Sequence, residues 1–392
     1  MQQIRKFYLA SFLKNQTYFV PIIVLFFQDL GLSYSEIFWI FTIGSVFSFI
    51  IEIPTGIFAD VYGKRRGILI SKLLIFISFL LFGFSINFVT LLVANLVYEL
   101  GKSFRSGTET AYVYGYLLQN KNSPTYTLVK ANQKFYARIS ESIGTALGGF
   151  VAYHSGFSIV FFLAAIPALI NFGQTITWAK LKECQQTKKI NIKNNILFAK
   201  DSFRESLQNK GLRKVIMNVA LFSAGVVSLE KFVQPYMKNV EVDLQYFGII
   251  YSVFLLLAAF IARYATRLEE KYGAVKILNY ISLLSIIPIV ILGLGISSVW
   301  AIPLFFFVLM AENIRSPVSN SLFHERVSSK NRATMGSILE LFKSSIKLIT
   351  MPIIGYVADL YSMQMAFLFI AFIVMISMIF FWLNYQKPLK KY

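Results

Sequence analysis

The sequence is poor in cysteine, histidine and acidic side chains. Its one cysteine, Cys184, excludes an intramolecular disulfide framework. The two histidines, His154 and His324, are far apart in the chain, which disfavours a zinc site, so we expect neither a metal nor an organic cofactor. Charged residues make up only 15% of the 392 residues, a fraction too low for an ordinary soluble enzyme.

Apolar residues dominate the chain: they make up 56% of it, and 39 residues are phenylalanine. A transmembrane helix needs about 20 apolar residues, and the sequence contains twelve such stretches in two groups of six. The sequence therefore predicts an all-α polytopic membrane protein with twelve transmembrane helices. The predicted spans are 6–28, 34–59, 67–86, 88–115, 128–153, 157–179, 213–237, 244–265, 274–294, 298–322, 334–358 and 364–385.

The basic residues are concentrated in alternate loops. A net charge of +19 is compatible with nucleic-acid binding, but these residues stand between apolar stretches, so we interpret them as a topology signal and expect no nucleic-acid partner. Lys64, Arg65 and Arg66 follow span two, whereas residues 295–297, on the opposite side, include no basic side chain. The positive-inside rule then predicts that both termini are cytoplasmic, as an even number of spans requires.

Residues 181–212 form the one long polar connection between the two groups of spans. Basic residues there are interspersed with apolar residues at helical spacing. A basic amphipathic helix lying on the anionic inner leaflet explains this pattern, and a solvated linker helix explains it equally well.

Short strings recur between the two halves of the chain. Asp60-Val-Tyr-Gly63 has a counterpart in Glu270-Lys-Tyr-Gly273 at an offset of 210 residues, and Arg105-Ser106 matches Arg315-Ser316 at the same offset. Repeated bundles that meet at a midplane site are typical of secondary transporters, so the repeat indicates this class of protein.

The loop after span two carries the clearest motif, Gly56-Ile-Phe-Ala-Asp60-Val-Tyr-Gly63-Lys64-Arg65-Arg66. It resembles the loop signature of the major facilitator superfamily: glycine, three residues, aspartate, two residues, glycine, then basic residues. Glu52 and Pro54 before it resemble versions found in bacterial drug-efflux members. The resemblance implies two pseudo-symmetric six-helix bundles, residues 1–180 and 213–392, joined by the linker.

The resemblance also implies a function and a setting. Members are secondary active transporters that work by alternating access, mostly as monomers, and we expect a multi-pass protein of the cytoplasmic (inner) membrane. The expected partners are a small-molecule substrate, protons and the lipid bilayer, with the proton gradient as the energy source. The loop motif would clamp the inner ends of neighbouring helices. Its gating candidates are Gly56, Asp60, Gly63, Lys64, Arg65, Arg105, Glu109, Glu270 and Gly273.

Span five contains Gly144, Gly148 and Gly149 but lacks the terminal Gly-Pro of the drug–proton antiporter signature. Close packing between helices explains these glycines more simply. Antiport is therefore indicated by the loop motif rather than by span five.

Ionisable residues inside spans are costly, so each is a functional candidate. In this superfamily spans one, four, seven and ten line the central cavity. The proton-coupling candidates are Glu99, Glu312 and Glu52. Alternatively, Glu99 and Glu312 form neutral i, i+3 ion pairs with Lys102 and Arg315. The substrate-cavity candidates are Lys14, Asn95, Lys102, Glu230, Lys231, Gln234, Asn313 and Arg315.

Spans five and eleven carry a further set of charged residues. These residues either bridge the two bundles and separate during alternation, or form static packing pairs. The inter-bundle candidates are Arg138, Glu141, Glu340, Lys343 and Lys347.

Three hypotheses for the function remain open, none of them enzymatic. Gly101-Lys102-Ser103 resembles the end of a phosphate-binding loop, but Leu96 occupies the position of its first glycine, and no long soluble segment exists to hold a catalytic domain. The leading hypothesis is proton-coupled export of an amphipathic small molecule. The alternatives are a specific carrier, for uptake or export, of an anionic metabolite or siderophore-like ligand, and a non-transporting membrane sensor.

Overall fold

The structure, a computed structural model, describes residues 2–120, 124–181, 208–261, 264–325, 327 and 332–382. Within these ranges every regular element is a helix, as the long apolar stretches predict. The predicted linker, 181–212, lies almost wholly outside the described residues, and so does Cys184. Its basic amphipathic helix therefore stays a prediction.

The helices follow the apolar stretches of the sequence. In the first half they are α1 (Gln2–Lys14), α2 (Ile23–Asp29), α3 (Tyr34–Tyr62), α4 (Lys64–Gly83), α5 (Phe88–Arg105), α6 (Thr108–Gln119), α7 (Tyr126–Ser155) and α8 (Phe157–Ile176). In the second half they are α9 (Lys210–Asn239), α10 (Leu244–Ile261), α11 (Ala265–Tyr272), α12 (Ala274–Gly293), α13 (Ile302–Glu325), α14 (Arg332–Leu360) and α15 (Met363–Trp382). A 3-10 turn, Val299–Ala301, precedes α13.

Six of the described helical segments are long and apolar enough to cross a membrane: α3, α4, α8, α9, α12 and Val299–Phe323. Two more, in α10 and α15, are apolar but shorter. The other predicted spans fall short because spans one and four are interrupted and because α7 and α14 carry several charged residues. Large apolar side chains such as Phe84 and Leu294 remain exposed, as a lipid-facing surface requires.

The sequence repeat reappears as a repeated backbone turn. Gly63, between α3 and α4, has φ 99° and ψ 137°. Gly273, between α11 and α12, has φ 81° and ψ 144°. A residue with a Cβ rarely adopts a positive φ, so glycine is required at both turns.

Spans one and four are interrupted. α1 ends at Lys14, and an irregular segment, residues 15–22, separates it from α2. α5 and α6 are separated by Ser106 and by Gly107, which has φ 67°. The prediction of two continuous spans is wrong here, because hydropathy is averaged over a window and does not register a short backbone turn.

The chain divides into two compact units, each containing most of one half of the sequence. Unit 1 comprises Met1–Leu32, Ile43–Thr187 and Val242–Leu255, and unit 2 comprises Ser33–Thr42, Lys188–Glu241 and Leu256–Tyr392. The first turns of α3 thus belong to unit 2, and most of α10 belongs to unit 1.

Each unit has its own apolar core. In unit 1, Phe7 packs edge-on against Tyr112 and Trp178, with ring centroids 6.0 and 5.1 Å away, and so joins α1, α6 and the segment after α8. In unit 2, a cluster that includes Val215 and Phe323 joins α9 to α13.

Candidate functional site

Two lysines and one glutamate meet in the interior of unit 1. Lys14 Nζ lies 3.0 Å and Lys72 Nζ 3.8 Å from the same oxygen, Glu109 Oε2. The side chains of Lys72 and Glu109 are only 2% and 6% exposed. Within the described residues Lys72 Nζ and Glu109 Oε1 have no hydrogen-bond partner. Both lysines therefore share one carboxylate, and only Lys14 is close enough to donate a hydrogen bond to it.

The two helix interruptions bring these residues together. Lys14 is the last residue of α1, where a cation complements the partial negative charge of the helix end. Glu109 lies in the first turn of α6, where an anion complements the partial positive charge. Lys72 projects from the middle of α4.

Neighbouring side chains satisfy the backbone where span one unwinds. Asn171 Nδ2 donates to the Ala10 carbonyl at 3.2 Å, and Asn15 Nδ2 donates to the Ser11 carbonyl at 2.6 Å. The Ser140 hydroxyl donates to the Phe12 carbonyl. Broken spans persist in membranes where protein groups replace the lost backbone bonds, and that is the situation here.

The glycines of span five receive this unwound segment. A Cβ at Gly148 would lie 1.8 Å from the Tyr18 carbonyl oxygen, and one at Gly144 would lie 2.8 Å from the Thr17 nitrogen. A Cβ at Gly149 would lie 2.7 Å from the Leu244 carbonyl oxygen in α10. The close-packing explanation of these glycines is therefore confirmed.

A small cavity of about 20 Å³ lies beside the buried lysine. Its volume is enough for one water-sized group. Its apolar wall includes Ile75, Phe79 and Ala164. Its polar lining residues are Lys14, Gln16, Lys72, Arg105 and Asn171.

The three candidates of span four lie on one side of α5. Glu99 Oε1 and Lys102 Nζ are 2.7 Å apart, so the i, i+3 ion pair forms as the alternative interpretation expected. Asn95 is buried, and a Cβ at Gly44 would lie 2.1 Å from its Nδ2 atom. Glu52, the other proton-coupling candidate of this unit, accepts a hydrogen bond of 2.7 Å from Ser106 at the break of span four.

Unit 2 buries an arginine that has no acidic partner within 4.0 Å among the described residues. Arg315, on α13, is 1% exposed. Its guanidinium donates to Asn218 Oδ1 and lies 3.9 Å from the centroid of the Phe222 ring. Asn218 in turn donates to the Ser377 carbonyl at 2.6 Å.

Glu312 stands apart from this network. The expected ion pair between Glu312 and Arg315 is wrong: among the described residues, these two form no contact within the 4.0 Å limit of an ion pair. Arg315 turns to α9 instead, because Asn218 and Phe222 together offer its guanidinium an acceptor and a ring face. Glu312 Oε2 is buried and has no hydrogen-bond partner in the described part of the chain.

The remaining cavity candidates lie in the same unit. Lys231 Nζ is 3.8 Å from Glu230 Oε1 and lies over the Phe41 ring, 4.4 Å from its centroid. Gln234 is buried, and Asn313 donates 2.9 Å to the Leu309 carbonyl of its own helix.

Asp60 of the loop motif forms no ion pair with another gating candidate among the described residues. Asp60 is exposed, and the described residues place no cation within 4.0 Å of it, neither Arg105 nor Arg65. Arg65 instead donates to the Ile176 carbonyl at the end of α8.

The other charged gating candidates also lie apart from the loop motif or from one another. Glu109 lies with the buried lysines, and Glu270 is exposed while Arg315 is buried elsewhere. Among the described residues no atom of a neighbouring element lies within 4 Å of the Cβ position of Gly56, so this glycine of the loop motif does not mark a close contact. Lys64 begins α4 next to the Gly63 turn.

The inter-bundle candidates form pairs along their own helices. Arg138 and Glu141 are 2.6 Å apart on α7, and Lys343 and Glu340 are 2.8 Å apart on α14. Lys347 lies one turn beyond Lys343. A bridge between bundles stays a prediction.

Two residues of these sites were missed from the sequence. Lys72 lies in span three, which the superfamily resemblance does not place at the central cavity, although a lysine inside the apolar span 67–86 was a visible signal. Asn218 carried no such signal, since a polar amide is common in a long helix. Among the described residues, no group of three His, Cys, Asp or Glu could hold a metal ion.

Comparison with known sequences gives a consistent result. The sequence model described as Major Facilitator Superfamily matches residues 7–307 and 215–392. The chain is 24% identical over 357 residues to an uncharacterized MFS-type transporter of Methanocaldococcus jannaschii, covering 88% of this chain and 87% of that protein. It is 25% identical over 393 residues to the multidrug resistance protein MdtG of Proteus mirabilis, and the match covers 95% of this chain and 92% of that protein.

Solved structures share the fold. The nucleoside transporter NupG superposes with a TM-score of 0.79 at 15% identity, covering 99% of this chain and 100% of that one. A variant of the peptide transporter POT superposes with a TM-score of 0.73 at 16% identity, covering 97% of this chain and 93% of that one. The human organic anion transporter MFSD10 superposes with a TM-score of 0.61 at 14% identity, covering 97% of this chain and 99% of that one. At these identities the likeness is one of fold alone.

Proposed function

Because the chain belongs to the Major Facilitator Superfamily and is a multi-pass membrane transporter, we propose that it exports amphipathic small molecules in exchange for protons. It works by alternating access, as a monomer in the cytoplasmic membrane. The charge of its loops supports cytoplasmic termini. Its energy source is the proton gradient.

The observation that carries the proposal is the state of Glu312. One of its oxygens is buried and has no hydrogen-bond partner among the described residues, and the nearby Arg315 is bound to Asn218. A proton on this carboxyl group removes a buried charge that has no ion-pair partner within 4.0 Å among the described residues, and such intramembrane carboxyl groups serve as proton relays. Glu99 is a weaker candidate because Lys102 already pairs with it.

Two observations support export rather than uptake. Glu52 and Pro54, which precede the loop motif, resemble versions found in bacterial drug-efflux members. The chain is also similar along 95% of its length to a protein named for multidrug resistance.

A second function is favoured by a different observation. Lys14, Lys72 and Arg105 line one cavity, and Glu109 is the one acid that pairs with them among the described residues. This surplus of positive charge suits a specific carrier of an anionic metabolite or siderophore-like ligand.

Export is tested by the accumulation of ethidium in cells that express the chain. Wild type is expected to lower accumulation, and a protonophore should abolish the difference. Glu312→Gln should accumulate as much dye as cells without the transporter, because the amide cannot take up a proton. Glu325→Gln is the matched control, since Glu325 ends the same helix and is exposed.

The outcomes separate the parts of the proposal. Protonophore-sensitive export by Glu312→Gln, at wild-type abundance in the membrane, would show that another group couples the proton. Equal accumulation in all cells would contradict export of amphipathic cations and would direct the search to anions.

A further inference from the structure

The cavity of unit 1 is surrounded by more positive than negative charge. Lys14, Lys72 and Arg105 line it, and Glu109 is the one acidic side chain paired with them in the described part of the chain. Buried charges are normally compensated, because removal from water is costly. Three basic side chains therefore meet one acidic side chain at this place in the described part of the chain.

The two lysines differ in how well they are satisfied. Lys14 donates a hydrogen bond of 3.0 Å to Glu109 and also lies at the negative end of α1. Lys72 Nζ is 3.8 Å from the same oxygen, too far for a hydrogen bond, and has no other partner among the described residues. An ammonium group has three donors, so Lys72 presents unused donors beside the cavity.

The shape of the site limits what can enter. The cavity of about 20 Å³ has room for about one water-sized group, such as a small anion or one oxygen of a carboxylate, and not for a whole drug-sized molecule. Its wall on the other side is apolar, with Ile75, Phe79 and Ala164. An irregular segment of span one, residues 15–22, borders the cavity through Gln16. Transporters commonly place their ligands where a span is broken in this way.

We propose that this cavity binds one monovalent anionic group, with Lys72 as its hydrogen-bond donor and Lys14 and Arg105 as the surrounding positive charge. The group is either the carboxylate of the transported molecule or a free inorganic anion of similar size, such as chloride. The inference rests on the proposed function, because the bound anion is either a group of the transported substrate or an ion that accompanies the substrate.

The test measures anion binding to the purified full chain in detergent, without any gradient. Sodium acetate is titrated while the thermal unfolding midpoint is followed, with acetamide as the neutral isostere and chloride in a parallel series. A ligand of the folded state raises the midpoint saturably. We expect acetate or chloride to do so, and acetamide to have no effect at equal concentration.

The arms of the titration identify the source of the anion. If chloride alone gives the saturable rise, the site holds a free inorganic ion. If acetate gives it in chloride-free buffer at a lower concentration than chloride does, the site is built for a carboxylate. The absence of a saturable rise with either anion overturns the proposal.

Variants locate the site. Lys72→Met is expected to weaken the apparent affinity about tenfold or more, the usual effect of losing a charged hydrogen bond. Lys134→Met, on the exposed face of α7, removes the same charge and should leave the affinity unchanged. Unchanged affinity in Lys72→Met overturns the proposal.

A second variant covers the case in which Lys72→Met does not fold. Arg105→Gln removes a half-buried charge from the same cavity and should also weaken acetate or chloride binding. Because binding is measured without a gradient, a failure of proton-coupled export in cells leaves this result intact.

Discussion

Asp359, at the end of α14, caps the start of α3 through Ser35. The backbone N–H of Ser35 donates to Asp359 Oδ2 at 2.8 Å, and the hydroxyl of Ser35 donates to the same oxygen. The Tyr34 N–H donates to Oδ1, also at 2.8 Å. One carboxylate thus satisfies two of the unpaired N–H groups at a helix N-terminus, where negative charge is favourable.

Asp359→Ala is expected to destabilise unit 2. Loss of a helix cap costs about 1–2 kcal/mol, so the thermal unfolding midpoint in detergent should fall measurably. Ser35→Ala removes the hydroxyl but keeps both backbone donors, so it should cost less. Equal losses in both variants would mean that the hydroxyl, not the charged cap, carries the interaction.

Gly148→Ala is expected to disrupt the unwound segment of span one. The added methyl group would lie 1.8 Å from the Tyr18 carbonyl oxygen, and overpacking of this kind costs about 3 kcal/mol. Gly173→Ala is the matched control, because nothing lies within 4 Å of its Cβ position in α8. It should be neutral or slightly stabilising. A Gly148→Ala protein as stable as wild type would contradict the close approach of span one to α7.

Asn218→Ala should leave the buried Arg315 without its acceptor. A hydrogen bond to a charged group contributes about 1.5–3 kcal/mol, and the loss should appear as a lower unfolding midpoint. The double variant Asn218→Ala with Arg315→Met removes the buried charge as well and should recover much of the loss. If the double variant is less stable than Asn218→Ala, Arg315 is held by other groups.

Glu109→Gln should destabilise unit 1, because the buried Lys72 and the partly buried Lys14 lose their shared counter-charge. The expected cost is about 3 kcal/mol. Glu141→Gln breaks the more exposed pair with Arg138 and should cost less than about 1 kcal/mol. If the cavity binds anions, acetate in the buffer should restore part of the stability of Glu109→Gln and none of that of Glu141→Gln.

The sequence predicted the elements and the turns that a local signal determines. The all-helical fold followed from the apolar stretches, and the repeat correctly related the turns at Gly63 and Gly273. The ion pair of Glu99 with Lys102 followed from helical spacing, since both lie on one helix.

The contacts between distant helices could not be read in the same way. Lys14, Lys72 and Glu109 come from three helices, and their meeting depends on where spans one and four unwind. Helical spacing suggested a pair of Glu312 and Arg315, but Asn218 on another helix offers a better partner. Tertiary packing therefore decides which charges meet.

The interruption of span one has a consequence for how the protein is made. α1 has 13 residues and ends in a lysine, and α2 has 7, so neither piece is long enough to cross the hydrocarbon core. Carbonyl groups near the end of α1 accept hydrogen bonds from Asn171 and Ser140, which belong to helices that leave the ribosome more than a hundred residues later. During synthesis, span one must wait beside the insertion machinery or at the membrane surface, and its final position is reached when α7 and α8 arrive.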